Sequence, residues 1–202
     1  MRWFLRLIVG VKYVNQKELK KNKQFILVSN HNSHLDTMAL MSALPCAQLK
    51  NTHPIAASEY WGASPIKAFL AKSFANAILI YRDKNSQNYS SIQVMSDAIE
   101  RGESLIFYPE GSRGEPEKMQ EFKKGIGILL KKYPHIPYIP IYMKGMGKVL
   151  PKEDNILVPF DSYVIFGKTT FAQSNDVEKI VEEVKFNILE LAHKVNLDFE
   201  VT

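Results

Sequence analysis

The chain has 202 residues, 46% hydrophobic, 23% charged and 11% aromatic, with 26 Lys and Arg against 21 Asp and Glu for a net charge of +5. That apolar share excludes a disordered chain, ten Gly and ten Pro exclude a fibrous repeat, and a single cysteine excludes a disulfide framework or a cysteine-rich zinc module. The basic excess suits an anionic partner (membrane surface, phosphorylated substrate or nucleic acid) without choosing among them.

Met1–Val9 is apolar apart from Arg2 and Arg6. It is too short, and lacks the small-residue cleavage site, for a signal peptide. Three expectations stand side by side, one of them that an upstream membrane anchor is missing from this sequence. Trp3, Phe4, Leu7 and Ile8 lie in a membrane interface while the arginines meet phosphates, or the segment docks on the core as a terminal helix or strand. No stretch approaches the roughly 20 apolar residues that span a bilayer. Lys17, Lys20, Lys21 and Lys23 read as a solvated turn.

Strands and helices then alternate. Phe25–Val28 reads as a buried strand, Thr37–Leu44 as a helix stopped by Pro45, and Ile55–Ala57 as a strand. Pro65–Phe74 has a helical pattern with Pro in its first turn, and Ala77–Ile80 is a strand. Ser90–Glu100 carries Ile92, Met95 and Ile99 on one stripe and closes at Gly102. Leu105–Tyr108 is a strand, and Phe122–Lys132 is helical despite Gly125 and Gly127. Ile136–Tyr142 and Tyr163–Phe166 are strands, Lys148–Pro159 is a loop, and Asp176–Val195 is a terminal helix. Cys46 has no base beside it and reads as a small buried hydrophobe. The fold expected is α/β, with a mostly parallel central sheet flanked by helices. It is read as one domain over residues 1–202, with 1–14 a candidate membrane-interface segment.

In such sheets, sites gather at the carboxyl ends of strands. Two polar clusters fall there. The first is Ser29-Asn-His-Asn-Ser-His-Leu-Asp36. Histidine suits a general base at neutral pH and needs a partner on its second ring nitrogen. His31 and Asp36 are five residues apart, about 140° around a regular helix, so they do not share a helical face. His31 is therefore expected in the turn before the helix, with Asp36 in its first turn. The plain alternative makes Asn30, Ser33 and Asp36 capping residues. A metal reading through His31, His34 and Asp36 finds nothing nearby to complete a ligand set.

The second cluster is Phe107-Tyr-Pro-Glu-Gly-Ser-Arg113. Gly111 permits close backbone approach, Arg113 offers a planar fork for phosphate, and Glu110 can orient that Arg or bind a hydroxyl. Arg82 follows the strand at 77–80, and Phe122-Lys-Lys-Gly125 adds cations before a helix. The alternative is a plain turn with a surface Glu–Arg pair. No serine nucleophile elbow, dinucleotide fingerprint or Walker loop is present.

Together these clusters resemble the glycerolipid acyltransferases, the family of 1-acylglycerol-3-phosphate acyltransferases. Asn30-His31-x-Ser33-x-x-Asp36 matches its first motif, Ile78–Arg82 its second, and Pro109-Glu110-Gly111-Ser112-Arg113 its third. Either Phe107 or Tyr108 takes the aromatic position of the third motif. Phe122-Lys123-x-Gly125 and the strand around Pro140 complete the series, which spans about 110 residues in order. The resemblance implies a glycerol-3-phosphate acyltransferase-like fold and acyl transfer from acyl-CoA or acyl carrier protein to a lysophospholipid, giving phosphatidic acid. Another lysolipid or glycerol-3-phosphate as acceptor, or a non-catalytic membrane-binding module, are the alternatives. His31 and Asp36 would be catalytic. Asn30, Ser33, Arg82, Glu110, Gly111, Ser112, Arg113 and Lys123 would hold substrate. No metal or cofactor and no nucleic acid are expected. The expected site of action is an anionic membrane surface, reached peripherally, on the cytoplasmic face of a bacterial inner membrane. Lys67 and Lys72 are candidate contributors to that basic surface.

Overall fold

The structure is a computed structural model that describes residues 10–33, 35–58, 76–81, 91–115, 118–149 and 160–200, with side chains as far as 194. Its strands are β1 (Val11–Val14), β2 (Ile26–Ser29), β3 (Thr52–Ala57), β4 (Ile78–Ile80), β5 (Ser104–Phe107), β6 (Tyr138–Lys144) and β7 (Ser162–Phe166). The α-helices are α1 (Asp36–Ala43), α2 (Cys46–Leu49), α3 (Ser91–Glu100), α4 (Gly125–Lys132), α5 (Met146–Val149) and α6 (Val177–Glu200).

Among the described residues, seven strands form one sheet in the order β1-β7-β6-β2-β5-β3-β4. Every neighbouring pair is parallel except β6–β7. β2 and β5 lie side by side in its middle, and all four residues of each are buried. Their unbroken apolar runs follow from having both faces covered. Alternation along the pleat divides them between two cores. Leu27 and Ile106 face Ala39, Leu40 and Leu44 at α1. Ile26, Val28, Leu105 and Phe107 face Met95 and Ile99 of α3, Leu129 and Leu130 of α4, and Ile180, Val184 and Ile188 of α6.

Helix boundaries follow local hydrogen bonding. α6 begins one residue after Asp176, whose Oδ1 accepts the N–H groups of Glu178 and Lys179 at 3.0 Å each. α4 begins at Gly125 instead of Phe122, because the Lys123 N–H turns back to the Pro109 carbonyl (2.9 Å). β6 starts two residues later than the sequence pattern suggests. The Ile136 N–H is taken by the Tyr133 carbonyl, and Pro137 has no N–H to offer a ladder.

Several expectations are corrected. Residues 11–14 of the candidate membrane-interface segment form edge strand β1, paired in parallel with β7. The lysine-rich turn contains a 3₁₀ helix at Gln16–Lys20 with Glu18 and Leu19 buried. Glu18 is anchored there by Lys21 (2.7 Å) and by the Thr169 N–H (3.1 Å). The loop expected from Lys148 is preceded by helix α5, which takes in Lys148 and Val149. Cys46 is exposed: it opens a four-residue helix that buries none of its side chains. The helix expected at 65–74, like Lys67, Lys72 and Met1–Val9, lies outside the described residues.

Strand polarity decides which end of the sheet matters. The carboxyl ends of β2, β5, β3, β4 and β6 lie together. Antiparallel pairing brings the start of β7 to the same end, and β1 follows it, so Gly10 enters the sheet there as well.

Candidate active site

At that end, β2 delivers Asn30 and His31 into a turn before α1, and β5 delivers Tyr108, Pro109 and Glu110. His31 Nδ1 donates to Asp36 Oδ2 at 2.9 Å. The same oxygen accepts the N–H groups of Asn32 and Ser33, each at 2.8 Å. The pair sits as its spacing suggests: His31 in the turn, Asp36 at the first residue of α1. Asp36 is buried at 1% side-chain exposure while His31 retains 18%, so the imidazole reaches solvent and its carboxylate does not. With Nδ1 holding its proton against Asp36, Nε2 is the nitrogen free to accept one. Asp36 Oδ1 is buried with no hydrogen-bond partner among the described residues.

The face of the imidazole is covered as well. The Tyr108 ring stacks on it with centroids 4.0 Å apart and planes 16° from parallel. The Tyr108 hydroxyl shares a 3.0 Å hydrogen bond with Thr37 Oγ1. Tyr108 therefore occupies the aromatic position before Pro109, while Phe107 points to the opposite core. Burial, with the Asp36 charge nearby, pushes the Tyr108 phenol well above its ordinary pKa. It stays neutral at any working pH.

Glu110 joins the two clusters. Its Oε1 accepts the His31 N–H (2.8 Å) and its Oε2 the Gln120 N–H (2.9 Å). The His31 carbonyl in turn accepts the Gly114 N–H (3.0 Å). At 1% exposure, Glu110 is a brace between backbone segments. Burial pushes its carboxyl above the ordinary range, and the two N–H groups pull against that.

Asn30 and Ser33 are likewise turned inward. The Asn30 amide donates to the Met143 carbonyl and to Asn32 Oδ1, each at 2.9 Å, and accepts the Met143 N–H at 2.8 Å, tying the site turn to β6. Ser33 is fully buried, and its Oγ accepts the Leu35 N–H (3.2 Å). Asn30, Ser33 and Glu110, expected to hold substrate, each make hydrogen bonds within the protein that position the site turn.

Gly111, Ser112, Arg113 and Lys123 line the open side. Gly111 has φ +74°, a left-handed turn that favours glycine. Lys123 lies over it so closely that a Cβ there would stand 2.9 Å from Nζ. Ser112 is exposed, with Oγ 3.4 Å from Gln120 Oε1, and Arg113 is partly buried. Two cations, a hydroxyl and a glycine turn can receive a phosphate. Arg82 lies outside the described residues. Beyond the motif's aromatic position for Tyr108, the sequence points to no role for Tyr108, Thr37 or Asn32. Asn32 Nδ2 donates to the carbonyls of Glu115 and Lys118, holding the loop across the site. Tyr108 beside Pro109 was the one visible signal among them.

Residues 10–144 match the family model described as Acyltransferase. The chain is 26% identical over 172 residues to the chloroplastic 1-acyl-sn-glycerol-3-phosphate acyltransferase BAT2 of Brassica napus, covering 85% of this chain and 47% of that protein. It is 29% identical over 150 residues to the human 1-acyl-sn-glycerol-3-phosphate acyltransferase beta, covering 69% and 50%. The chain spans about half the length of these curated relatives. The crystal structure of the 1-acyl-sn-glycerophosphate acyltransferase PlsC from Thermotoga maritima has a similar fold, with TM-score 0.71 at 22% identity over 95% of this chain and 76% of that one. With more than half of its residues matched by the family model, and a mostly parallel sheet like that of a solved relative, the chain belongs to the acyltransferase family.

Proposed function

We propose that the protein transfers a fatty acyl group from a thioester, of coenzyme A or of acyl carrier protein, to the free hydroxyl of 1-acylglycerol-3-phosphate, giving phosphatidic acid. The observation that carries this reading is the His31–Asp36 pair, its carboxylate oxygen held by two backbone N–H groups, beside the cationic turn at 111–113. His31 Nε2 takes the proton of the acceptor hydroxyl as that oxygen attacks the thioester carbonyl. Asp36 stabilises the imidazolium that forms. The tetrahedral intermediate collapses, expels the thiolate, and His31 returns the proton to sulfur. No covalent acyl-enzyme is required. Arg113 and Lys123, with Ser112, hold the acceptor phosphate, and Arg82 is a further candidate for that role. The names of the relatives support the choice of acceptor.

The reading extends to peripheral attachment at an anionic membrane. Among the described residues no helix is long and apolar enough to cross one. Gly10 joins the sheet at the same end as His31, and the sequence before it is apolar and carries Arg2 and Arg6.

The test is acyl transfer by purified protein in liposomes. Lysophosphatidic acid, glycerol-3-phosphate and lysophosphatidylethanolamine are offered as acceptors, with both donor types, and products are read by mass spectrometry. Wild type should form phosphatidic acid. His31→Ala should reduce the rate by about 10³-fold or more, and Asp36→Asn by about 10² to 10⁴-fold through loss of the correct tautomer. Transfer to another acceptor moves the substrate assignment. No transfer to any acceptor by folded, liposome-bound wild type overturns the reading.

A further inference from the structure

Four side chains close a ring around the base. His31 Nδ1 bonds to Asp36, and Asp36 is followed in α1 by Thr37. Thr37 bonds to the Tyr108 hydroxyl, and the Tyr108 ring lies flat on the His31 imidazole. Two elements of different origin therefore grip one ring: α1 at its Nδ1 edge, and the exit of β5 at its face. The acids around this imidazole are Asp36, at Nδ1, and Glu110, at the His31 backbone N–H. The stacked rings are in contact, and a π face attracts a cation. In the proposed reaction His31 gains a positive charge as it takes the acceptor's proton. The contact strengthens as that charge develops, which is the condition for it to raise the rate.

Resting on the proposed reaction, we infer that the Tyr108 ring, braced by Thr37, is a positioning residue that fixes the His31 imidazole in its productive rotamer and supports the charge developing on it. The hydroxyl serves to hold the ring, not to move a proton. Burial and the Asp36 charge keep the phenol protonated, and its oxygen is engaged with Thr37.

The experiment pairs kinetics with proton NMR of the free protein. Tyr108→Phe retains the ring and should keep kcat within about threefold of wild type. Tyr108→Leu should lower kcat by about tenfold or more, the size of one ring–cation contact, with the acceptor KM little changed. In the NMR spectrum the downfield His31 Nδ1–H signal should persist in Tyr108→Phe and broaden into exchange in Tyr108→Leu. Trifluorophenylalanine at position 108 preserves the packing while weakening the π face. It should reduce kcat below the Phe variant at constant KM, so a misfolded Leu variant does not leave the idea without a readout. Equal kcat for Phe and trifluorophenylalanine, a Leu variant as active as wild type, or a Phe variant as damaged as Leu each overturns the inference. The NMR comparison needs no turnover. Absence of acyl transfer by wild type would therefore sink the proposed reaction while the Nδ1–H signal still decided the positioning role.

Discussion

At the scale of single residues, the site depends on where backbone N–H groups are directed. Glu110 binds the His31 and Gln120 amides from a buried position, and burial raises its carboxyl above the ordinary value of 4.5. The folded protein then holds that proton more tightly than the unfolded chain does. The stabilising contribution of Glu110 is full below the ordinary carboxylate pKa and is lost as pH rises through the raised folded value. Glu110→Gln removes this titration. The melting temperature of wild type relative to Glu110→Gln should therefore be most favourable near about pH 4 and decline towards about pH 7. A difference that grows with pH would mean that the two amide bonds outweigh burial. Much of this was legible in the sequence as residue types. The Asn-His-x-Ser-x-x-Asp spacing already placed His31 in a turn and Asp36 at a helix start. It could not show that Asn30 and Glu110 bond internally, because their partners at Met143 and Gln120 lie far along the chain or in irregular backbone.

At the scale of elements, α4 and α6 lie against each other over the far core, with Gly127 between them. A Cβ at Gly127 would collide with the Val177 carbonyl and would stand 2.9 Å from Val181 Cγ2. The nearest obstacle is backbone, which cannot rotate away. Gly127→Ala should therefore destabilise the fold by about 1–3 kcal/mol despite the better helix propensity of alanine. That corresponds to a fall of roughly 3–10 °C in melting temperature for a protein of this size, read by circular dichroism. An unchanged or higher melting temperature would show that the helices can separate at small cost. Apolar periodicity located both helices. It did not reveal that glycine, apparently a flaw in the first, is what lets them approach.

At the scale of the whole molecule, polarity gathers the carboxyl ends of β2 and β5, the end of β6 and the entry at Gly10 on one side. If that side meets an anionic bilayer, Arg2 and Arg6 contribute about 1 kcal/mol each. Replacing both with serine should weaken partition into phosphatidylserine-containing vesicles by roughly 30-fold, and raised salt should weaken the wild type similarly. Equal binding of the variant in a sedimentation assay would place the contact elsewhere.

The sequence by itself determined what short-range patterning can encode: alternating buried strands and amphipathic helices, a mostly parallel sheet, and a histidine and aspartate at the end of the first buried strand. Those features depend on neighbours a few residues apart, and each leaves a local signature. Only the tertiary structure decided which groups remain free to meet a substrate. It turned Asn30, Ser33 and Glu110 inward, laid Tyr108 on His31 across 77 residues of chain, exposed Cys46, and drew residues 11–14 into an edge strand. Each outcome depends on hydrogen-bond partners and packing surfaces supplied by distant segments, and a polar residue looks the same in the sequence whether its partner is a substrate or a buried backbone amide.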